Sequence, residues 1–400
     1  MVFEDSKARL FQHVRDLSIP RIVGSDGEKK TQNYLKQYIE SQGYRVQTQK
    51  FQASLFRINT LQQISNLAAA LLFVISAILF NIHPLLFLIP LVVILINIYL
   101  VSTGSPEMAQ PPNVPKWVQC WDTENIYAQS PREDGNVEII FMGHYDSKSS
   151  KLNGFWRLFM YLLLLFGAVF FLLIGLSGII IYFVWPSIIP IFGKMIWIFA
   201  AIGAFGGFFL TFNVVGNQSP GASDNGTAVA ILMELMKYFK ENPIKGANIT
   251  YLFTSAEEIG LTGAVKFVQS IRDDNVFSKT NTFIINWDLA GLPGPVLVNT
   301  GVGVPKRLTS PTMSQFIDRI GEEQKIPVQQ LYLPVGGWTD ALPFSYSGYE
   351  SITISGKSVK IHTSEDTPEI LDQKNLVNSF RMGIELTKKV VEYKLSAKNQ

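Results

Sequence analysis

Two blocks of the chain are apolar almost without interruption, while the rest alternates between apolar and polar positions. The first block runs from Leu67 to Val101 and breaks at Asn81-Ile82-His83-Pro84, a turn-forming sequence. The break leaves two runs of about 17 residues, the lower limit for crossing a bilayer. The second block runs from Leu158 to Val215 and breaks near Trp185-Pro186, giving two runs of up to about 28 residues, longer than soluble cores use. Lys194 is its one internal charge, near enough to the turn to reach the interface. The pattern predicts two inserted transmembrane helical hairpins, 64–102 and 157–215, with four spans. An even number of crossings returns the chain to its starting side, so every hydrophilic segment faces the same compartment.

The segments left over, 1–60, 110–153 and 217–400, have the length of one discontinuous α/β domain. Lys29 to Gln42, closed by Gly43, has helical periodicity, and Tyr44 to Phe51 alternates as a strand does. Asn136 to Met142, Asn248 to Thr254, Thr282 to Trp287 and Ser351 to Ser355 are short apolar strands. Ser223-Asp224-Asn225 offers an N-cap to the helical AVAILMELMKYF, and Lys374 to Tyr393 forms a closing helix. Strand and helix alternate, which predicts a largely parallel mixed sheet flanked by helices.

Composition agrees with a chain partly in lipid: 47% of residues are hydrophobic and 16% charged. The net charge of +2, with no basic run carrying interleaved aromatics, excludes a nucleic-acid partner. The opening MVFEDSKARLFQHVRDL lacks the pattern of a cleavable signal, so membrane entry is expected through internal segments. Transporters mark their pathway with intramembrane ionisable residues. Lys194 apart, these spans hold none, so the hairpins read as anchors in the bilayer. Gly203 and Gly207 form a small-xxx-small pair suited to close helix packing, within a hairpin or between chains of a homo-oligomer.

In open sheets functional groups collect beyond the carboxyl ends of strands. Here His144 and Asp146 follow NVEIIFM, Glu257 and Glu258 follow NITYLFT, Asp288 follows TFIINW, and His362 follows SITISG. Asp224 opens a helix. Acids and histidines repeated at strand ends suit a divalent metal, with zinc favoured by the imidazoles. His13, on a candidate helix, and His83, at a hairpin turn, read as structural or exposed.

The stretches GHYDS (143–147), GASDNGTAVAILMEL (221–235), TSAEEIGLTGA (254–264), NWDLAG (286–291) and IHTSEDTPEIL (361–371) resemble the di-zinc exopeptidases, a family that includes leucyl aminopeptidases, glutamate carboxypeptidase, glutaminyl cyclase and the transferrin receptor ectodomain. RIVGSDGEKKTQNYLKQYIESQGYRV (21–46) is similar to the family's lead-in, so the resemblance covers nearly all of the chain outside the hairpins. It implies two zinc ions, one on His144 and Asp288, the other on Glu258 and His362, with Asp224 bridging. It further implies that Glu257 is the general base acting on a water shared by the metals, and that Asp146 fixes the His144 tautomer from its second ring nitrogen. Adjacent glutamates with different tasks require irregular backbone, which TSAEEIGLTG supplies. Asp340, in GWTDALPFSYSG, is positioned to orient His362, and Tyr346 is a candidate oxyanion support; many relatives carry histidine where Ala341 stands, a departure in this segment.

The implied activity is that of a membrane-anchored zinc aminopeptidase acting on peptides. The alternatives are a glutaminyl cyclase-like transferase with one zinc and an inactive scaffold on the peptidase fold. The complete set of metal donors and base argues against both. Arg57, Lys148, Lys151 and Arg157 flank the hairpins on the catalytic side, which predicts a cytoplasmic catalytic domain in a multi-pass membrane protein. Asn248-Ile249-Thr250 is a formal glycosylation acceptor placed in a buried strand.

Overall fold

A computed structural model describes residues 2–90, 92, 118–132, 137–272, 274, 276–303, 305–334 and 338–398. Its helices in chain order are α1 (Val2–Leu17), α2 (Asp26–Ser41), α3 (Gln62–Ile82), α4 (Gly154–Val184), α5 (Ile189–Leu210), α6 (Thr227–Glu241), α7 (Thr262–Ile271), α8 (Pro311–Gln324), α9 (Ala341–Tyr346) and α10 (Gln373–Lys398). The strands are β1 (Gln47–Ala53), β2 (Trp121–Gln129), β3 (Val137–His144), β4 (Ser149–Ser150), β5 (Val215–Gly216), β6 (Ala247–Thr254), β7 (Thr282–Trp287), β8 (Val296–Val302), β9 (Arg307–Leu308), β10 (Val328–Leu333) and β11 (Glu350–Ser355). The chain divides into two units, one of Met1–Ser54, Pro106–Ser149 and Gly216–Gln400, the other of Leu55–Ser105 and Ser150–Val215.

The first unit is built on a sheet of order β1-β2-β6-β3-β7-β11-β8-β10, with β9 paired to β8. Its four central strands, β6, β3, β7 and β11, run parallel. The margins do not follow suit: β1, β2 and β6 pair antiparallel, as do β11 and β8. The sheet is therefore mixed, with four parallel strands at the centre and a second parallel pair, β8 and β10, at one margin. Burial explains the division, since β3 and β7 are buried at every position and must be covered on both faces. On β1 burial alternates, which fits a marginal strand with one wet face.

Successive residues of β3 feed opposite layers. Ile139 and Phe141 join the large core with α1, α6 and α10, whereas Ile140 and Met142 join Ala264, Phe267 and Phe344 from α7 and α9. The α1 helix is tied to α6 by a half-buried ion pair, where the Arg9 guanidinium and the Ser6 hydroxyl donate to the buried Glu234. α2 starts at Asp26, three residues before the sequence pattern suggests, because Ser25 accepts the Glu28 N–H at 3.2 Å as an N-cap. His13 is structural, with Nδ1 2.8 Å from the Tyr34 hydroxyl.

α6 starts at Thr227, one residue before the apolar run that the capping pattern precedes. Residues 222–226 form an irregular turn in which the Asp224–Asn225 peptide is cis, and Asn225 Oδ1 accepts the Ala228 N–H at 3.3 Å. The Asp224 carboxylate is thereby released from capping duty.

In the second unit α3, α4 and α5 pack around Phe73, Phe80, Phe87, Phe171 and Ile196. A Cβ on Gly167 would fall 2.4 Å from the Gly203 backbone nitrogen, so these glycines let α4 and α5 touch. Gly203 and Gly207 are both used inside the chain, the latter against Asn66 and Ala70 of α3. The outward surface stays apolar, with Leu165 60% and Val184 75% exposed, as it must if lipid is the solvent. Among the described residues three helical segments, Ile58–Ile82, Gly154–Val184 and Pro186–Leu210, are long and apolar enough to cross a membrane. Most of the fourth expected span lies outside the described residues. His83 ends α3 with Nε2 3.0 Å from the Tyr182 hydroxyl, a structural role.

Within the first unit, Gly143 connects the packing of α6 on β3 to the chemistry. A Cβ there would lie 2.6 Å from the Ala228 methyl, so the residue before His144 sets how closely α6 approaches β3. Replacing Gly143 with Val is expected to destabilise the protein by about 1–3 kcal/mol through overpacking, read as a lowered midpoint in thermal unfolding of the detergent-solubilised protein.

Candidate metal centre

Every acid and histidine singled out by its place after a strand converges at one end of the sheet. His144 is the last residue of β3, Asp288 follows β7, Glu257 and Glu258 lie in the loop after β6, and His362 follows β11. The backbone there is bent to suit: Ala256, Leu289 and His362 have φ near +60°, a region that side-chain-bearing residues seldom adopt outside functional sites. These turns let neighbouring residues, Glu257 and Glu258 above all, point in different directions.

Two groups of donors result, His144, Asp224 and Asp288 in one and Asp224, Glu258 and His362 in the other. Asp224 belongs to both. Its Oδ1 lies 3.3 Å from His144 Nε2 and its Oδ2 3.0 Å from His362 Nε2, so each oxygen serves one imidazole. His362 Nε2 is also 3.1 Å from Glu258 Oε2, and Asp288 Oδ1 is 3.8 Å from His144 Nε2. Ligands about 2.0–2.1 Å from a tetrahedral zinc are about 3.3 Å apart, and these spacings bracket that edge. Donor type and spacing therefore fit the metal that the motifs imply.

Asp146 meets the second ring nitrogen of His144 through its main chain. The partner of His144 Nδ1 is the Asp146 carbonyl oxygen at 3.1 Å, while the carboxylate stands off at 3.6 Å. That carboxylate accepts the N–H groups of Glu257 and Glu258, each at 3.3 Å, and so fixes the loop carrying both glutamates. Asp340 departs from expectation. It takes a hydrogen bond from the Thr254 hydroxyl at the end of β6, not from His362, and its other oxygen is buried without a hydrogen-bond partner among the described residues. Burial pushes its carboxyl up to about 7. Tyr346 is half exposed, with the Arg307 guanidinium over its ring.

Four supporting residues escaped the sequence reading. Arg21 is fully buried and donates to the carbonyls of Tyr145 (2.6 Å), Leu17 (2.7 Å), Pro220 (2.6 Å) and Gly221 (2.7 Å). It thus joins the segment before α2 to the chain on both sides of the site; burial lowers its guanidinium to about 10. Asp366 accepts from the Ser223 N–H (2.8 Å), the Ser223 hydroxyl (2.6 Å) and the Asp224 N–H (3.1 Å), locking the turn that presents the shared aspartate. Glu28 braces the same region from α2, accepting from Ser255 Oγ at 3.0 Å and from the Thr123 hydroxyl. Lys148, counted above among membrane-flanking cations, turns its ammonium onto Glu258 Oε2 at 2.8 Å instead. Arg21, Glu28 and Asp366 lie within stretches that carry the resemblance, the one signal that could have singled them out.

The surroundings drive two carboxyls apart. Burial holds Glu257 well above the usual carboxylate range, reinforced by Asp288 and Glu258 and opposed by His144. Burial works the same way on Asp224, but hydrogen bonds from His144 and His362 outweigh it and hold Asp224 well below that range. Glu257 is thus given a raised proton affinity and Asp224 a lowered one, the directions expected of a proton-accepting base beside a carboxylate that stays ionised.

Paired three-donor clusters around a shared aspartate, at the carboxyl ends of parallel strands, are an arrangement suited to holding divalent metal. Residues 210–387 match the model of peptidase family M28, which bears out the resemblance carried by the motifs. The aminopeptidase YwaD of Bacillus subtilis is 25% identical over 169 residues, covering 40% of this chain and 35% of that protein, so the match spans about a third of the relative's length. The fold is shared with the zinc aminopeptidase BSAP of Bacillus subtilis (TM-score 0.55, 13% identity, 97% of this chain and 95% of that one). It is shared equally with a glutaminyl cyclase from an Acidobacteriales bacterium (TM-score 0.54, 14% identity, 97% and 95%).

Asp366 offers a direct check on how the shared aspartate is held. An amide cannot accept from three donors, so Asp366→Asn is expected to cost about 1–3 kcal/mol, seen as earlier thermal unfolding that added zinc only partly restores.

Proposed function

We propose that the protein is a membrane-anchored zinc aminopeptidase that removes N-terminal residues from peptides. The observation that carries this reading is the sharing of Asp224 between two donor clusters, with a buried acid, Glu257, beside them and belonging to neither. His144 and Asp288 would hold one zinc, Glu258 and His362 the other, and Asp224 would bridge. When bound, the pair polarises the scissile carbonyl and acidifies water. Glu257 has the environment of a general base: its carboxylate takes the proton of the attacking water and passes it to the departing amine. Asp146 supports both glutamates through their N–H groups and leaves their carboxylates free.

A glutaminyl cyclase reading has one observation in its favour, the equal fold similarity to a cyclase. It calls for one zinc per chain and cyclisation of N-terminal glutamine, and two zincs per chain favour the peptidase. An inactive scaffold fits least, because the donors and the base are all present.

The membrane part of the proposal is two hairpins with four spans and a cytoplasmic catalytic domain. Arg57, Lys151 and Arg157 still support that orientation once Lys148 is removed from the count. The buried Asn248, whose amide donates to Glu138 at 2.7 Å, weakens the glycosylation argument for the reverse. In sealed vesicles, protease added on the non-cytoplasmic side is expected to spare the catalytic domain, and its digestion there would refute this topology.

Glu257→Gln is expected to lower kcat on aminoacyl amides by about 10²–10⁴-fold, the usual range for a general base, with zinc content by metal analysis unchanged. A chelator is expected to abolish the wild-type activity. Wild-type turnover by Glu257→Gln would remove Glu257 from the mechanism.

A further inference from the structure

The two donor clusters differ in one respect that their ligand types do not show. Glu258 is clamped by Lys148 from two directions: the Lys148 backbone N–H reaches Oε1 at 3.2 Å, and the ammonium reaches Oε2 at 2.8 Å and the Glu258 carbonyl at 3.0 Å. Oε2 is the same oxygen that lies 3.1 Å from His362 Nε2, inside the second cluster. The Lys148 side chain is only 17% exposed, so water and salt screen its charge weakly. Among the described residues neither Asp288 nor Asp224 has a lysine or arginine within ion-pairing distance, and the first cluster lacks any such neighbour.

We propose that Lys148 makes the two metal positions unequal, so that the position of His144 and Asp288 takes zinc first and the position of Glu258 and His362 takes it more weakly. The proposal rests on the di-zinc reading above. A cation entering the second cluster must share Oε2 with a fixed ammonium or displace it, and it meets a like charge either way. No comparable opponent faces a cation in the first cluster.

Lys148 could also help the second position by holding Glu258 in place, and geometry decides which effect prevails. The Glu258 carboxylate is held at Oε1 by a backbone N–H, and the Glu258 N–H is held by Asp146 at 3.3 Å. Neither contact needs the lysine side chain. Removing the ammonium therefore removes an opposing charge and leaves the ligand in position.

The test is calorimetric zinc titration of the full-length, metal-stripped protein in detergent, with melting curves to establish that each variant is folded. Wild type is expected to bind two zincs in succession, with dissociation constants at least tenfold apart. His362→Ala is expected to remove the weaker event and His144→Ala the tighter one. In Lys148→Met, and in Lys148→Gln as an independent neutral variant, the weaker event is expected to tighten at least tenfold while the tighter event is unchanged. Lys148→Arg, which keeps the charge, is expected to retain the wild-type separation. Two zincs bound with a second affinity unchanged within threefold, or weakened, in the folded neutral variants would overturn the role of Lys148 and leave the di-zinc reading intact. Failure of wild type to bind a second zinc would overturn that reading, and this inference with it.

Discussion

A buried carboxylate with one oxygen toward each of two imidazoles is demanding to build, and the catalytic unit is organised around that demand. Asp224 meets His144 at 3.3 Å and His362 at 3.0 Å, and these histidines come from chain segments far apart in sequence. Buried charge is tolerated only where hydrogen bonds and counter-charges surround it. The turn before α6 is accordingly held from several sides: Asp366 takes the Ser223 and Asp224 N–H groups, and Arg21 takes the Pro220 and Gly221 carbonyls. Asp146 does the same for the glutamate loop. Each support bonds to the main chain, which fixes the path of a loop while leaving the reactive side chains unencumbered.

The same logic accommodates a long excursion in the chain. The first unit loses the chain at Ser149 and regains it at Gly216. On either side of this gap the ends are closed locally: Ser149 Oγ accepts the Gln218 N–H at 3.0 Å, and Ser147 Oγ donates to the Ser219 carbonyl at 3.3 Å. Arg21, reaching both Tyr145 and Pro220, completes the closure. An insertion whose ends are hydrogen-bonded to each other leaves the surrounding site undisturbed, which is the usual condition for tolerance.

Much of this was legible in the sequence, unevenly and for physical reasons. Buried central strands announce themselves as short apolar runs, and those read from NVEIIFM, NITYLFT and TFIINW fall within two residues of β3, β6 and β7. The antiparallel margins carry no such mark, because pairing direction depends on which strand lies alongside. The irregular turn at 222–226 read as a simple N-cap, since Ser, Asp and Asn favour both. Lys148 read as a membrane-flanking cation because its neighbours in sequence lead into an apolar helix; its neighbour in space is Glu258.

By itself the sequence determined which residues carry the chemistry and which segments suit lipid, because both follow from residue type and from periods of a few residues. What only the tertiary structure decided is how the donors are held: the Asp146 carbonyl on His144, the Asp366 grip on Asp224, the four-way clasp of Arg21, and the ammonium of Lys148 on one cluster but not the other. Those contacts join residues distant in the chain and mostly engage the main chain, whose donors and acceptors are the same at nearly every residue. Their partners are set by the path of the fold, which no local pattern of side chains records.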